Sequence, residues 1–134
     1  MTKIISVKLD MNEMADITQE VVNFVKESGK NEGAVLVFSI GSTGAITTIE
    51  YEPGLKKDFP RIMDKIAPYG EFYDHHLTWH DDNGSSHVKA SIVGASEVIP
   101  FKEGRLLTGT WQQIVVINFD TRSRERKVAL QILS

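Results

Sequence analysis

Two hydrophobic periods alternate along this chain. In Lys3–Leu9, Ile5, Val7 and Leu9 face one way with Ser6 and Lys8 between them, the two-residue period of a half-buried strand. From Asn12 to Glu27 the period changes. Ile17, Val21, Phe24 and Val25 recur at helical spacing, Asn12 or Asp10 can cap the segment, and Gly29 stands where a helix ends. Gly33–Ile40 contains the dense run Ala34-Val35-Leu36-Val37-Phe38, which predicts a central strand buried on both faces. A Gly41-Ser42-Thr43-Gly44 turn leads into a strand over Ala45–Tyr51, and Pro53-Gly54 breaks it. Leu55–Ala67 then reads as a helix, with Phe59, Ile62, Met63 and Ile66 on one face and Pro68 and Gly70 as its stop. Ser85–Val93 predicts a short third helix, capped by Ser85 or Ser86 and closed by Gly94. Ser96–Pro100, Thr110–Phe119 and Arg124–Leu133 read as strands, and the link between Gly104 and Gly109 leaves room for one more.

The order is mixed, with two main helices, a short third and about seven strands. No helix separates the last strands. An α+β fold is therefore expected, with an antiparallel sheet or two-sheet sandwich carrying the helices rather than a parallel βαβ sheet. At 134 residues the chain is read as one domain over 1–134.

Composition removes several classes of function. The net charge of −3 argues against a broad basic surface for nucleic acid. No run reaches the ~18 apolar residues of a membrane-spanning helix, and Met1-Thr2-Lys3-Ile4-Ile5 lacks a signal-peptide core. With no cysteine, disulfides, thiolate zinc sites and cysteine catalysis are excluded. A cytoplasmic location is the default expectation.

The chemistry concentrates between Tyr73 and His87, where Asp74, His75, His76, His80, Asp81, Asp82 and His87 gather around Asn83-Gly84. Neutral imidazoles bind zinc and carboxylates orient them. About 15 residues without structure in a compact domain would be expected to carry function. His75 and His87 can converge across the turn, whereas His76 would point away from His75 in an extended stretch. A solvated polar loop explains the same residues equally well. Gly41-Ser42-Thr43-Gly44 offers amides and hydroxyls to an anion, although a hairpin turn is the simpler reading and the P-loop Lys-Ser/Thr ending is absent. In Thr108-Gly109-Thr110-Trp111-Gln112, Gly109 permits a close backbone approach, and Trp111 reads as core or interface. Arg122, Arg124, Arg126 and Lys127 read as a solvated basic face with no site role.

These elements together resemble the YjbQ-like family, also called the secondary thiamine-phosphate synthase family. The carriers of the resemblance are Tyr73-x-His75, Asp82-Asn83, Ser86-His87-Val88-Lys89-Ala90-Ser91, Gly94-Ala95-Ser96, Ile99-Pro100 and Gly104-Arg105-Leu106-Leu107-Thr108-Gly109-Thr110-Trp111-Gln112. The resemblance implies an α+β fold with a β-sandwich-like core, a homotrimer and a histidine-lined pocket near subunit boundaries. It also implies joining an aminopyrimidine diphosphate to a thiazole phosphate with release of pyrophosphate. Where many members carry a histidine after the central strand, this chain has Gly41. A three-histidine metal site would then lack one ligand unless His76, His80 or Glu50 replaced it.

The expected function is thus an enzyme acting on phosphorylated small molecules. His75, Asp82 and His87 are the catalytic candidates, with Ser42, Thr43, Tyr73 and Gln112 contacting substrate. If a divalent metal, zinc or magnesium, is bound, His75 and His87 are its ligands. The alternatives are a metal-dependent hydrolase and a non-catalytic trimeric module for an anion or metal.

Overall fold

A computed structural model describes residues 1–133. The chain runs β1 (Thr2–Leu9), β2 (Met14–Asp16), α1 (Thr18–Ser28), β3 (Glu32–Ile40), β4 (Gly44–Ile49), α2 (Pro53–Ile66), α3 (His75–Trp79), α4 (Gly84–Val93), β5 (Ser96–Lys102), β6 (Arg105–Leu106), β7 (Gln113–Asn118) and β8 (Arg124–Leu133). One sheet has the order β1-β8-β3-β5-β6 and the other β2-β7-β4. Every pairing is antiparallel. The fold is α+β, as the strand-rich C-terminal half predicts.

Alternation decides how the layers meet. In β7, Ile114 and Val116 join Val35, Val37, Ile46, Ile99, Phe101, Val128 and Leu130 in a core that α1 closes with Val21, Phe24 and Val25. Its neighbours Val115 and Ile117 face the other way, into a second core with Ala45, Met63, Ala90 and Phe119. The strand buried on both faces is therefore β7. β3 buries only Val35, Val37 and Ser39, while Phe38 and Ile40 are exposed on its outer face. The dense apolar run does not report two-sided burial because no described element covers that outer face.

Three boundaries move for local reasons. The segment read as one helix from Asn12 splits, because Met14, Ala15 and Asp16 pair with Ile117, Val116 and Val115. Asp16 Oδ1 then accepts from Thr18 N, and the helix starts at Thr18. The strand read from Thr110 begins at Gln113, because Gln112 N bonds Gly109 O and its side chain bonds Gly109 N. The stretch from Phe72 to Ser86 is not structureless: it forms α3 and the first turn of α4.

Gly84, rather than Ser85 or Ser86, opens α4. A Cβ there would stand 2.5 Å from Tyr73 Cβ and 2.7 Å from Tyr73 Cγ. The helix start thus seats directly on Tyr73, which is itself held by its hydroxyl on the Pro68 carbonyl. Gly84→Ala separates packing from helix propensity. Alanine's helical preference would gain at most ~1 kcal/mol, while forcing a methyl into filled space costs about 1–3 kcal/mol. A net loss of stability is expected in urea unfolding; a stabilised variant would show that this contact is not tight.

Candidate functional site

The floor of the site is built by the last strand. Arg126 is in phase with Val128 and Leu130 along β8, so strand alternation aims its guanidinium inward. It is only 5% exposed, and a buried cation must be paired. Its Nε and Nη2 donate to Asn118 Oδ1 at 3.0 and 2.6 Å, and Nη2 also donates to Thr43 Oγ1. Asn118, at the end of β7, spends its other side on the Leu9 and Arg122 carbonyls at 3.0 and 3.1 Å. Asp120 sits beside this group. Its carboxylate accepts from Arg124 Nε at 2.8 Å, Thr121 N at 2.8 Å and Thr43 Oγ1 at 3.1 Å. Burial pushes the Asp120 pKa up, but the bonds from Arg124 and Thr121 outweigh it and hold the carboxyl below its ordinary range.

The wall comes from α3 and α4. His87 lies in the first turn of α4 and His75 in α3, with ring centroids 4.5 Å apart. His75 Nε2 is 3.2 Å from Asp81 Oδ1. The Asn83 amide is assigned with its nitrogen toward Asp81, donating at 3.0 and 3.1 Å to the carboxylate and at 3.0 Å to His75 Nε2. His76 Nε2 accepts from Gly84 N at 3.3 Å and so caps the helix. Burial lowers the His87 pKa, and the neighbouring His75 lowers it further; Asp120, Asp81 and the Ser42 carbonyl oppose this without reversing it. Near neutral pH the uncharged imidazole is therefore favoured at His87, and it can accept a proton as a base.

Between floor and wall lies an open cleft of about 390 Å³, lined by Ser42, His87, Arg124 and Arg126 together with the carboxylates of Asp120 and Glu125. Its chemistry depends on which groups remain uncommitted. The Asp120 oxygens are occupied by donors, whereas Ser42 Oγ, the Arg124 terminal nitrogens and Arg126 Nη1 have no partner among the described residues. What the cleft offers is a set of uncommitted hydrogen-bond donors beside the His87 imidazole, its two arginines being balanced in formal charge by Asp120 and Glu125.

Residues 3–134 match the family described as UPF0047 protein YjbQ-like. A UPF0047 protein of Archaeoglobus fulgidus is 38% identical over 121 residues, covering 90% of this chain and 91% of its own. The Bacillus subtilis protein YugU is 40% identical over 110 residues, covering 81% of each chain. A crystal structure of a hypothetical protein from Aeropyrum pernix superposes with a TM-score of 0.92 at 32% identity, over 100% of this chain and 98% of that one. A YbjQ-like protein of unknown function from Sulfolobus solfataricus gives 0.89 at 32% identity, with the same coverage. The chain belongs to the UPF0047/YjbQ-like family.

Of the residues expected at a YjbQ-like site, the structure brings some together and not others. His75 and His87 meet, and Ser42 lines the cleft. Thr43 also borders it but is buried, with its hydroxyl committed to Arg126 and Asp120, so it holds the floor. Asp82 accepts from Thr121 Oγ1 at 2.9 Å and Tyr69 OH at 3.1 Å; the carboxylate beside His75 is Asp81. Tyr73 supports Gly84 from behind. Gln112 donates to Thr48 Oγ1 at 3.1 Å, near the end of β4 away from Thr43, roughly 16 Å along the strand. Glu50 and Trp111 line a different cleft. The reading of the basic cluster as a solvated face fails at Arg126, which is buried; Arg124 is exposed as expected, although its Nε pairs with buried Asp120.

The metal expectation meets a specific geometry. Two observations weigh against a closed centre: His75 Nε2 already accepts from the Asn83 amide, and no group of three His, Asp or Glu side chains converges among the described residues. A zinc site takes at least three protein ligands, so this donor set does not fit one within a single chain.

The lowered His87 pKa makes a testable statement about stability. The unfolded chain, with His87 near its ordinary ~6.5, takes up that proton more readily than the folded one. His87 therefore contributes stability above ~6.5 that is lost as pH falls through the lowered folded value. Urea unfolding between pH 7.5 and 5 should show a shallower loss of stability for His87→Gln than for wild type. Parallel pH profiles would contradict the shift.

Proposed function

We propose that this protein binds a phosphorylated small molecule in the cleft over Arg126 and acts on it with His87 as the proton-transferring group. The single observation that carries the reading is the uncommitted Nη1 of the buried Arg126, held through its Nε and Nη2, in the same cleft as the His87 imidazole. A fixed cation and fixed donors stabilise phosphoryl charge without reorganising. Arg124 and Ser42 supply further donors at the rim, while Asn83 and Asp81 hold His75 against His87.

The thiamine-phosphate synthase-like reaction fits this donor set in kind. Displacing pyrophosphate from an activated aminopyrimidine requires stabilisation of the leaving anion more than it requires a nucleophile. Arg124 and Arg126 would hold the pyrophosphate that leaves as the thiazole nitrogen bonds the pyrimidine's methylene carbon, and the His87 N–H would hydrogen-bond the departing oxygen. Isothermal titration with inorganic phosphate and pyrophosphate tests the anion reading directly. Binding is expected in wild type, with at least a tenfold loss in Arg124→Ala, and no detectable binding in wild type would overturn it. A pyrophosphate-release assay with the two thiamine precursors tests the reaction. Anion binding without turnover would favour the non-catalytic anion-binding module over the enzyme.

We also propose a homotrimer. Ile4 lies across from Ala129, and Ala129 from Phe38, in adjacent strands β1, β8 and β3, with Leu36 opposite Val98 beside them. Ile4, Phe38, Ile40 and Val98 are exposed, and a contiguous apolar sheet face of this kind marks an interface. Sedimentation equilibrium should give three times the chain mass at micromolar concentration, and Phe38→Lys should dissociate the assembly. A wild-type monomer would refute it.

A further inference from the structure

The anion cleft has a neighbour. A second cleft of about 210 Å³ is bordered by Gly44, Ala90, Ser91, Gly94 and Ala95, and it shares Gly41 and Ser42 with the first. Gly41 and Ser42 thus form a low saddle between a charged basin and one without a charged side chain. The saddle is low for a steric reason. At Gly41, with φ of +128°, a Cβ would stand 3.1 Å from Arg126 Nη1, so any side chain there would be strained and would cover that nitrogen. At Gly44 a Cβ would fall 2.7 Å from Ser39 Oγ. That hydroxyl is fully buried with no hydrogen-bond partner. Two polar groups, Arg126 Nη1 and Ser39 Oγ, therefore lie directly beneath the missing side chains.

The second basin has little polarity left to offer. Ser91 Oγ is spent on the His87 carbonyl at 2.8 Å, and the Gly94 and Ala95 carbonyls accept from Ile46 N and Ser39 N. Its volume lies below the ~300–1,000 Å³ of pockets for drug-sized ligands. Such a surface fits a small, flat, uncharged group.

We propose that one ligand straddles the saddle. Its phosphoryl group sits over Arg126 and His87, and a small uncharged ring or short chain lies in the basin of Ala90, Ser91, Gly94 and Ala95. The substrate class is then a phosphate or diphosphate ester of a small neutral alcohol or heterocycle, with Gly41 as the residue that admits it. The inference rests on the anion-binding reading of the first cleft and adds the second basin to it.

Titration with inorganic phosphate and with phenyl phosphate separates the two readings. Phenyl phosphate should bind at least tenfold more tightly than inorganic phosphate. Ser91 is exposed on α4, where leucine is a good helix former. Ser91→Leu should reduce phenyl phosphate affinity to that of inorganic phosphate and leave inorganic phosphate unchanged. Gly41→Ala should weaken both. Nuclear Overhauser contacts from the phenyl protons to the Ala90 and Ala95 methyls provide a readout that needs no variant. If inorganic phosphate binds but phenyl phosphate binds no better, or shows no contact with those methyls, the straddling ligand is refuted while the anion site stands. If neither binds, the anion-binding reading itself has failed and this inference falls with it.

Discussion

A guanidinium cannot be left unpaired inside a protein, and much of this site follows from burying one. Taking a charge out of water costs several kcal/mol even after relaxation, so Arg126 must be met on every side it turns inward. Asn118 from β7 and Thr43 from the start of β4 meet it, and Asp120 supplies the nearby negative charge. Those partners are tied in turn to Leu9, Arg122, Arg124 and Thr121. One side chain thereby fixes the ends of β1, β4 and β7 and the β7–β8 hairpin relative to one another. Local contacts in the hairpin alone would not hold β1 and β4 in place.

The two glycines of the Gly41-Ser42-Thr43-Gly44 turn answer the same constraint. Arg126 Cδ and Nε would lie 3.1 and 3.2 Å from a Cβ at Gly44, and Nη1 would lie 3.1 Å from one at Gly41. The turn must be bare because the guanidinium runs beneath it. This gives the turn a use beyond reversing the chain. With no side chain above it, the outward edge of the cation is reachable, while its inward edge is fixed. Preorganised charge of that kind is what anion recognition requires, and here it arises from packing before any ligand is considered.

Much of this was legible in the sequence. The histidine segment was found because it concentrates imidazoles, and His75 and His87 do meet. The antiparallel C-terminal strands were found because nothing helical separates them. Arg126 was misread because a run of basic residues near a turn looks like a solvated face. The corrective signal was present: in a strand from Arg124 to Leu133, Arg126 shares parity with Val128 and Leu130 and so faces inward. Asp81 in place of Asp82 was not legible, because adjacent carboxylates differ only through the short helix α3 and its left-handed end at His80. Nor was the position of Gln112, which follows from the long-range register of β4 on β7, where Thr48 pairs with Ile114. The exposed Phe38 face is a similar case, since a dense apolar run records burial against anything, including other copies of the chain.

Stability and recognition share this one group, and that couples them. An anion bound only by the folded protein stabilises it by mass action. Here it would do so by completing the hydrogen bonding of a cation whose desolvation cost folding has already met. The neutral His87 works in the same direction, because its burial lowers the pKa and keeps a second positive charge away from the buried guanidinium near neutral pH. Acid would reverse that arrangement, placing a proton on an imidazole held against His75. A divalent cation in the same space would face the uncommitted arginine nitrogens as well as the Glu125 carboxylate, so charges of both signs would act on it. What the Arg126 network leaves in the cleft is a set of fixed, unpaired donors, and an occupant that accepts hydrogen bonds would complete them.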